Sequence, residues 1–206
     1  MAGACIFVIR HGQTGGNGNH YVGREDEPLD STGIAQADAL VDRLHGQPIT
    51  AIYSSPLSRA RRTAAPLAAA RSLAIVVRDD LQEIDYGRYQ GMLKADQPIK
   101  LRHDHRFQRM PDGESLHDVY LRLEHFAQGL QDDLRRGAQV AIVGHFWSNR
   151  MLVGILMGIP FAALFEQTRY KPGNASVYQL RYAATAGPPA VTECRWFWQP
   201  GEGAGE

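Results

Sequence analysis

The sequence has few cysteines, no excess of charge of either sign and no apolar run that could span a membrane. Cys5 and Cys194 are its only cysteines, which excludes a disulfide framework and a cysteine-based zinc site and favours the reducing cytoplasm. The apolar runs 4–9 and 151–165 are shorter than the roughly 20 residues of a membrane-spanning helix. Lys and Arg total 22, as do Asp and Glu, whereas nucleic-acid and membrane-surface binders normally carry a basic excess. We therefore expect neither nucleic acid nor a membrane as a partner.

The overall composition is that of a folded globular chain. Hydrophobic residues make up 44% of the sequence and charged residues 21%, with 21 glycines and 11 prolines, and these values are ordinary for a globular protein. A length of 206 residues suits one domain, which we assign to residues 1–198. Residues 199–206 are rich in Gly and Glu and are expected to form a flexible C-terminal tail.

Strand and helix patterns alternate along the chain. Runs of β-branched and aromatic residues predict strands at 5–9, 51–53, 75–77, 140–143, 176–180 and 191–197. Periodic apolar positions and capping residues predict helices at 31–44, with Ser31 or Thr32 as the cap, and at 56–70, 100–109, 115–134 and 147–157. Ser115 and Asp118 form a capping box for the longest of them. The alternation predicts an α/β fold, a three-layer α/β/α sandwich with a mostly parallel central sheet.

Polar side chains follow two of the predicted strands directly. Arg10 and His11 come after the strand at 5–9, and His145 comes after the strand at 140–143. Because ligands bind beyond the carboxyl ends of parallel strands, both histidines are expected at one edge of the sheet. The glycine-rich segment 12–23 would let backbone approach a ligand there. The alternative for His11 is a structural role as a hydrogen-bonded core histidine.

Two further segments carry charged residues that suit phosphate chemistry. Arg59 lies in the first turn of the helix at 56–70, where the positive end of the helix dipole favours anions. Segment 81–91 contains the acids Glu83 and Asp85. Acids in loops are usually just solvated, and spacing alone leaves both as candidates for proton transfer, because they share one side of an extended segment.

Taken in order, these motifs resemble those of the histidine phosphatase superfamily, in its phosphoglycerate-mutase-like branch 1. The matching residues cover nearly the whole chain: Arg10-His11-Gly12-Gln13-Thr14 with Asn17, Pro28-Leu29 with Gly33, Gln36 and Ala37, Ser54-Ser55-Pro56-Leu57 with Arg59, Ala60 and Thr63, Glu83 with Gly87 and Gly91, Gly113-Glu114-Ser115, and Asn174-Ala175-Ser176-Val177. Arg-His-Gly alone is a weak signal, whereas the ordered set is specific. One departure is Phe146 and Trp147 after His145, where the family often has a second glycine.

The resemblance implies a metal-independent phosphomonoesterase that hydrolyses a small phosphorylated metabolite through a phosphohistidine intermediate. It implies His11 as the nucleophile and Glu83 as the general acid and base, ahead of Asp85. His145 would be a further catalytic residue, and a cation if it is protonated beside the phosphate. The residues assigned to phosphate binding are Arg10, Asn17, Gly23 and Arg59. The cations among them, Arg10 and Arg59, would take the role that Mg²⁺ has at other phosphoryl-transfer sites, so neither a metal nor another cofactor is expected.

Two other functions stay open. A phosphoglycerate mutase would carry extra sequence after the acid loop, and the stretch 91–111 is short. A catalytically inactive member would bind phosphate as a regulatory module. The basic residues Lys100, Arg102, His103, His105, Arg106 and Arg109 form either a solvated surface or a rim that favours substrates with a second acidic group. The strand at 191–197 could pair with a second copy in a homodimer.

Overall fold

The computed structural model describes residues 3–16, 18–96, 99, 104–167, 170–183 and 189–200 of the chain. Its six strands are β1 Cys5–Arg10, β2 Ala51–Ser54, β3 Ile75–Val77, β4 Gln139–Gly144, β5 Val177–Tyr182 and β6 Val191–Trp198. They form one sheet in the spatial order β3-β2-β4-β1-β5-β6. Strands β1 to β4 pair in parallel, whereas β5 and β6 join antiparallel. The prediction of a mostly parallel central sheet is therefore confirmed.

Helices flank this sheet on both faces. They are α1 Ser31–Arg43, α2 Ser58–Arg71, α3 Leu116–Gly129, α4 Gln131–Arg135, α5 Phe146–Leu156 and α6 Phe161–Gln167, with short 3-10 turns at Asp79–Leu81 and Gly87–Tyr89. Alternate side chains of β1 point to opposite faces: Ile6 and Val8 pack into a core with α3 and α5. Phe7 and Ile9 pack into a second core with α1 and α2. Two cores on the two faces of one sheet make the predicted three-layer sandwich.

The starts of two helices show which capping predictions hold. The Oγ of Ser115 accepts the N–H of Asp118 at 3.1 Å, and the Asp118 carboxylate accepts the N–H of Ser115 at 2.8 Å. The predicted capping box is thus confirmed. The cap of α1 is instead Asp30, whose carboxylate accepts the N–H of Gly33 at 2.8 Å, so the prediction of a hydroxyl cap one or two residues later is wrong. Aspartate is as good a cap as serine, and residue 30 precedes the first helical position.

The long apolar patterns are divided more finely than expected. The helix predicted over 115–134 is interrupted after Gly129, where α3 ends, and α4 continues the apolar stripe. The run 151–165 contributes to two helices, α5 and α6, which Pro160 separates because proline cannot continue the hydrogen-bond ladder of a helix. Within the described ranges, no helix is both long and apolar enough to cross a membrane.

The prediction of a helix over 100–109 is wrong for the part that the structure describes. Residues 104–108 are turns and bends, and residue 109 is irregular. The carbonyls of His105 and Arg106 accept the N–H groups of Leu116 and His117, at 3.0 Å each. These donors belong to the first turn of α3 and lack partners within their own helix. Lys100, Arg102 and His103 lie outside the described residues, as do 201–206 of the predicted tail.

Candidate active site

The two histidines that follow predicted strands lie side by side. Strands β1 and β4 are parallel neighbours with Arg10 opposite Gly144, so the residue after each strand emerges at the same edge of the sheet. The rings of His11 and His145 have centroids 5.1 Å apart. Both side chains are buried. The expectation that the two motifs share one edge is confirmed.

His11 is held as a neutral ring with one nitrogen left for chemistry. Its Nδ1 lies 2.7 Å from the carbonyl oxygen of Gly12. A carbonyl only accepts hydrogen bonds, so Nδ1 carries the proton and Nε2 keeps its lone pair. Burial, followed by the positive charges of Arg10 and Arg59, lowers the pKa of His11 well below its ordinary value. The structure therefore presents an unprotonated imidazole nitrogen in a buried, positively charged pocket.

His145 is neutral for a different geometric reason. The Nε of Arg59 donates to its Nδ1 at 3.3 Å, and its Nε2 lies 2.8 Å from the Oγ of Ser55. An arginine N–H only donates, so the single proton of the ring is on Nε2 and is donated to Ser55. Burial, then the charge of Arg59, lowers the pKa of His145 well below its ordinary value. Its role as a cation beside a bound phosphate stays a prediction.

Arg59, in the first turn of α2, is fixed by backbone carbonyls. It is only 2% exposed, and its two terminal nitrogens donate to the carbonyls of Gly23 and Glu25, at 2.6 Å each. Gly23 has a φ of +52°, and a Cβ there would lie 2.8 Å from the ring of Tyr86 and 2.9 Å from a backbone oxygen. Only glycine suits this position. In the structure Gly23 thus holds an arginine of the phosphate-binding set, and its own contact with phosphate stays a prediction.

Thr63, one turn further along α2, ties Arg59 to the nucleophile loop. Its hydroxyl donates to the carbonyl of Arg59 at 2.7 Å and accepts the N–H of Gly12 at 2.9 Å. From the opposite side, the amide of Asn174 donates to the carbonyls of His11 and Gly12 at 3.1 and 3.2 Å. The backbone around His11 is therefore held by side chains from two distant segments.

Arg10 is partly buried, and part of its guanidinium has no hydrogen-bond partner among the described residues. One terminal nitrogen donates to the carbonyl of Pro172 at 3.0 Å, and the ring of Phe146 lies 5.5 Å from the guanidinium carbon. The buried Nε has no hydrogen-bond partner among the described residues. Burial lowers the pKa of Arg10, against the opposing charge of Glu83. An unpaired buried N–H on a cation is a site where an anion oxygen would be stabilised.

Glu83 lies at the N-terminus of α5. Its carboxylate accepts the N–H groups of Trp147 at 3.0 Å and of Ser148 and Ile84 at 3.1 and 2.9 Å. The Glu83 charge also raises the pKa of Arg10 and of Arg59, second to the larger lowering by desolvation. The acid predicted for proton transfer is thus buried beside the cation cluster.

The backbone of Glu83 is held by a charged network that also accounts for Asp85. Arg24 and Arg122 both donate to the Glu83 carbonyl and both pair with the carboxylate of Glu114. The Asp85 carboxylate accepts the N–H of Gly87 at 2.8 Å and lies 3.6 Å from Arg24. Asp85 is therefore engaged in fixing the loop, which favours Glu83 of the two acids.

Lys94 is a cation that the sequence analysis did not single out. Its ammonium donates to the carbonyl of Gly18 at 3.0 Å and lies 5.9 Å from the ring centroid of Tyr21. Burial and, second, the positive charge of Arg10 lower the pKa of Lys94. This side chain therefore carries a positive charge that interacts with that of Arg10.

The remaining predicted residues are placed as follows. Asn17 lies outside the described residues. Arg106 lies 5.1 Å from the ring centroid of Phe165 and donates to carbonyls at the start of α6, and Arg109 pairs with Asp118 at 3.0 Å. These two arginines have protein partners, which favours the interpretation as a surface. Among the described residues, no group of three or more His, Cys, Asp or Glu could hold a metal ion.

Sequence analysis did not assign Ser55, Thr63 or Asn174 to the site, although all three lie in the motifs quoted for the resemblance. The signal for Ser55 was its place directly after β2, at the same sheet edge as the histidines. Thr63 is one helical turn after Arg59 and shares its face of α2. Nothing local marks Asn174, because its partners are more than 160 residues away.

Comparisons with known proteins agree with this geometry. The sequence matches the histidine phosphatase superfamily (branch 1) over residues 6–191. It is 30% identical over 186 residues to the "Probable phosphoglycerate mutase GpmB" of Yersinia pestis, covering 86% of this chain and 84% of that protein. The structure of mycobacterial glucosyl-3-phosphoglycerate phosphatase is similar with a TM-score of 0.76 and 29% identity, over 87% of this chain and 90% of that one. The alpha-ribazole phosphatase of Shigella flexneri has the same fold, with a TM-score of 0.73 and 23% identity over 85% and 89% of the two chains.

Proposed function

Because this chain belongs to the histidine phosphatase superfamily (branch 1), which its sequence matches over residues 6–191, we propose that it is a metal-independent phosphomonoesterase. Its substrate is a small phosphorylated metabolite, and the reaction passes through a phosphohistidine at His11. The observation that carries this proposal is the unprotonated Nε2 of His11, buried in the field of Arg10 and Arg59. The similar structures of phosphatases support hydrolysis as the outcome.

In the first step, the Nε2 lone pair of His11 forms a bond to phosphorus while the bond from phosphorus to the ester oxygen breaks. The transition state is loose and spreads charge over the three equatorial oxygens. The unpaired Nε–H of Arg10 and the guanidinium of Arg59 supply positive charge and donors there. These groups are held before substrate arrives, so little reorganisation is needed during the reaction.

Proton transfer is the task of Glu83. Its carboxyl group gives a proton to the departing ester oxygen, which leaves as an alcohol. The resulting carboxylate then takes a proton from the water that attacks the phosphohistidine, and inorganic phosphate and free His11 are released. The backbone donors of Ile84, Trp147 and Ser148 stabilise the carboxylate between the two steps.

The test is hydrolysis of p-nitrophenyl phosphate in the presence of EDTA, with mass spectrometry of the quenched enzyme for an acid-labile phosphohistidine. Wild type and His125→Ala, an exposed histidine of α3, are expected to hydrolyse the ester equally. His11→Ala should lose hydrolysis and the phosphorylated species together. Equal rates for wild type and His11→Ala would refute the proposal. Phosphate binding without turnover and without phosphohistidine would favour the inactive regulatory module.

A phosphoglycerate mutase is the second candidate, supported by the relative that carries that name. Both activities share the first step and differ in whether water or a second substrate hydroxyl accepts the phosphoryl group. Incubation with 3-phosphoglycerate and a trace of the bisphosphate separates them. Rapid formation of 2-phosphoglycerate would establish the mutase, and release of inorganic phosphate the phosphatase.

A further inference from the structure

The first residue of α5, Phe146, places an aromatic ring against Arg10, a partly buried arginine of the site. Its ring centroid lies 5.5 Å from the guanidinium carbon of Arg10. We propose that Phe146 is a positioning residue, which holds the Arg10 guanidinium so that its Nε edge faces the transferred phosphate. This inference rests on the proposed function, since it assumes that Arg10 binds phosphate.

Several contacts hold Arg10, and they leave the Nε–H edge of its guanidinium without a partner among the described residues. Its backbone N–H donates to the carbonyl of Ser176 at 3.2 Å. One terminal nitrogen donates to the carbonyl of Pro172 at 3.0 Å, and the guanidinium carbon lies over the ring of Phe146. The buried Nε has no partner among the described residues. A bound phosphate oxygen would satisfy this donor, and fixing the rest of the guanidinium keeps the donor in place.

An aromatic ring is well suited to hold a cation that must remain available to an anion. Burial removes water from Arg10 and lowers its pKa. The negative face of a ring compensates for part of that lost hydration. A carboxylate in the same place would neutralise the arginine and compete with phosphate, whereas a ring leaves its net charge and its N–H edge free. Phe146 therefore stabilises Arg10 without blocking it.

The ring of Phe146 packs against Trp147, the residue whose N–H binds the Glu83 carboxylate. The two rings pack edge to face, with centroids 5.3 Å apart and planes at 86°. The backbone N–H of Trp147 donates to the Glu83 carboxylate. The first turn of α5 therefore contacts a phosphate-binding cation through one residue and the candidate acid through the next.

The proposal is tested by phosphate affinity, measured by titration calorimetry with inorganic phosphate, in wild type, Phe146→Leu and Phe146→Tyr. Leucine keeps the apolar contact and removes the π face, whereas tyrosine keeps the ring. Phe146→Leu is expected to weaken phosphate binding by about three- to thirtyfold, and Phe146→Tyr by no more than about twofold. The matched control is Phe107→Leu, at an exposed ring that lies 5.8 Å from Arg106 outside the site, and it should bind phosphate like wild type.

A double-mutant cycle with Arg10→Lys separates positioning from general packing. If Phe146 acts through the guanidinium, Phe146→Leu should change phosphate affinity much less in the Arg10→Lys background than in wild type. Equal effects in the two backgrounds would overturn the proposal, as would wild-type affinity in Phe146→Leu. Binding of inorganic phosphate needs no turnover, so an enzyme that fails to hydrolyse esters still gives a result. Failure of the proposed function is thus distinguishable from failure of this inference.

Discussion

Replacing Arg59 by lysine keeps the positive charge and removes the fork of donors. The Arg59 guanidinium makes three side-chain hydrogen bonds, to the carbonyls of Gly23 and Glu25 and to Nδ1 of His145. A lysine ammonium is a compact point charge on a flexible stem and can satisfy one of these acceptors at a time. Two acceptors then lose a charged donor in a position that is only 2% exposed. At about 1–2 kcal/mol for each, Arg59→Lys should lower the free energy of unfolding by about 2–4 kcal/mol.

Arg59→Lys should also lose catalytic activity, and this loss should remain when the variant is fully folded. Lysine cannot place two parallel N–H groups on a phosphate, and the loss of one aligned donor to transition-state charge costs about 10²- to 10³-fold in rate. His145 also loses the donor that fixes its Nδ1. We therefore expect kcat/KM for p-nitrophenyl phosphate to fall by at least about 10²-fold at a temperature where the variant is fully folded.

Urea unfolding gives the free energy of unfolding, and steady-state kinetics on the same preparations give kcat/KM. The matched control is Arg62→Lys, an exposed arginine of the same helix, which should stay within about 0.5 kcal/mol of wild-type stability and leave kcat/KM unchanged. If Arg59→Lys behaved like Arg62→Lys in both assays, the hydrogen bonds from Arg59 to the carbonyls of Gly23 and Glu25 would contribute to neither stability nor catalysis, and the prediction would be refuted.

Three further predictions concern the acid, the histidines and one turn. Glu83→Gln should lower kcat/KM, which reports only the steps up to phosphorylation of His11, by about 10²- to 10⁴-fold for an alkyl phosphate. The loss for p-nitrophenyl phosphate should be smaller, because p-nitrophenolate leaves without a proton, and equal losses in kcat/KM would contradict the role of Glu83 as the acid. His11 and His145 have folded-state pKa values well below the ordinary 6.5, so the unfolded chain binds more protons below that pH. Stability should fall as pH drops below 6.5, by up to about 1.4 kcal/mol per pH unit for each histidine, and urea unfolding of a His11→Asn/His145→Gln variant should show a shallower slope. Gly87→Ala should destabilise by about 2–4 kcal/mol in thermal or urea unfolding, because φ is +54° and the new Cβ would lie 2.0 Å from a backbone oxygen, whereas Gly129→Ala, with open space around it, should not destabilise.

The strand predictions agree with the structure to within one or two residues because apolar periodicity is a local property. Residues 5–9 and 140–143 are continuous apolar runs, and both became central parallel strands buried on two faces. The predicted meeting of His11 and His145 followed from strand direction alone. The expected helix over 100–109 failed for the opposite reason, since the carbonyls of His105 and Arg106 are used by α3, and no local pattern reveals a partner elsewhere in the chain.

Among the site residues, some could be predicted from sequence motifs, whereas the contacts of others could not. The motifs placed His11 after a strand, Arg59 in the first turn of a helix and Glu83 in a loop, and the tertiary structure brings them together. The motifs did not indicate that Gly23 would serve Arg59 through its carbonyl. They also did not indicate that Asp85 would be engaged by Arg24 and the Gly87 N–H. Such contacts join backbone atoms, which every residue carries, so the residue type leaves little trace of them.

By itself, the sequence determined the layered α/β architecture, the order of the strands along the chain and the family to which the chain belongs. These properties depend on the apolar periodicity of short segments and on the order of motifs along the chain, and both can be read without knowing which segments meet in space. Only the tertiary structure decided the protonation of the two histidines, which depends on the carbonyl of Gly12 and on Arg59, 86 residues from His145. It also decided that Glu83 would meet the N-terminus of α5, 64 residues away. The physical reason is that a proton's position and a carboxylate's partners depend on which atoms lie within about 3 Å, and folding alone brings distant segments to that distance.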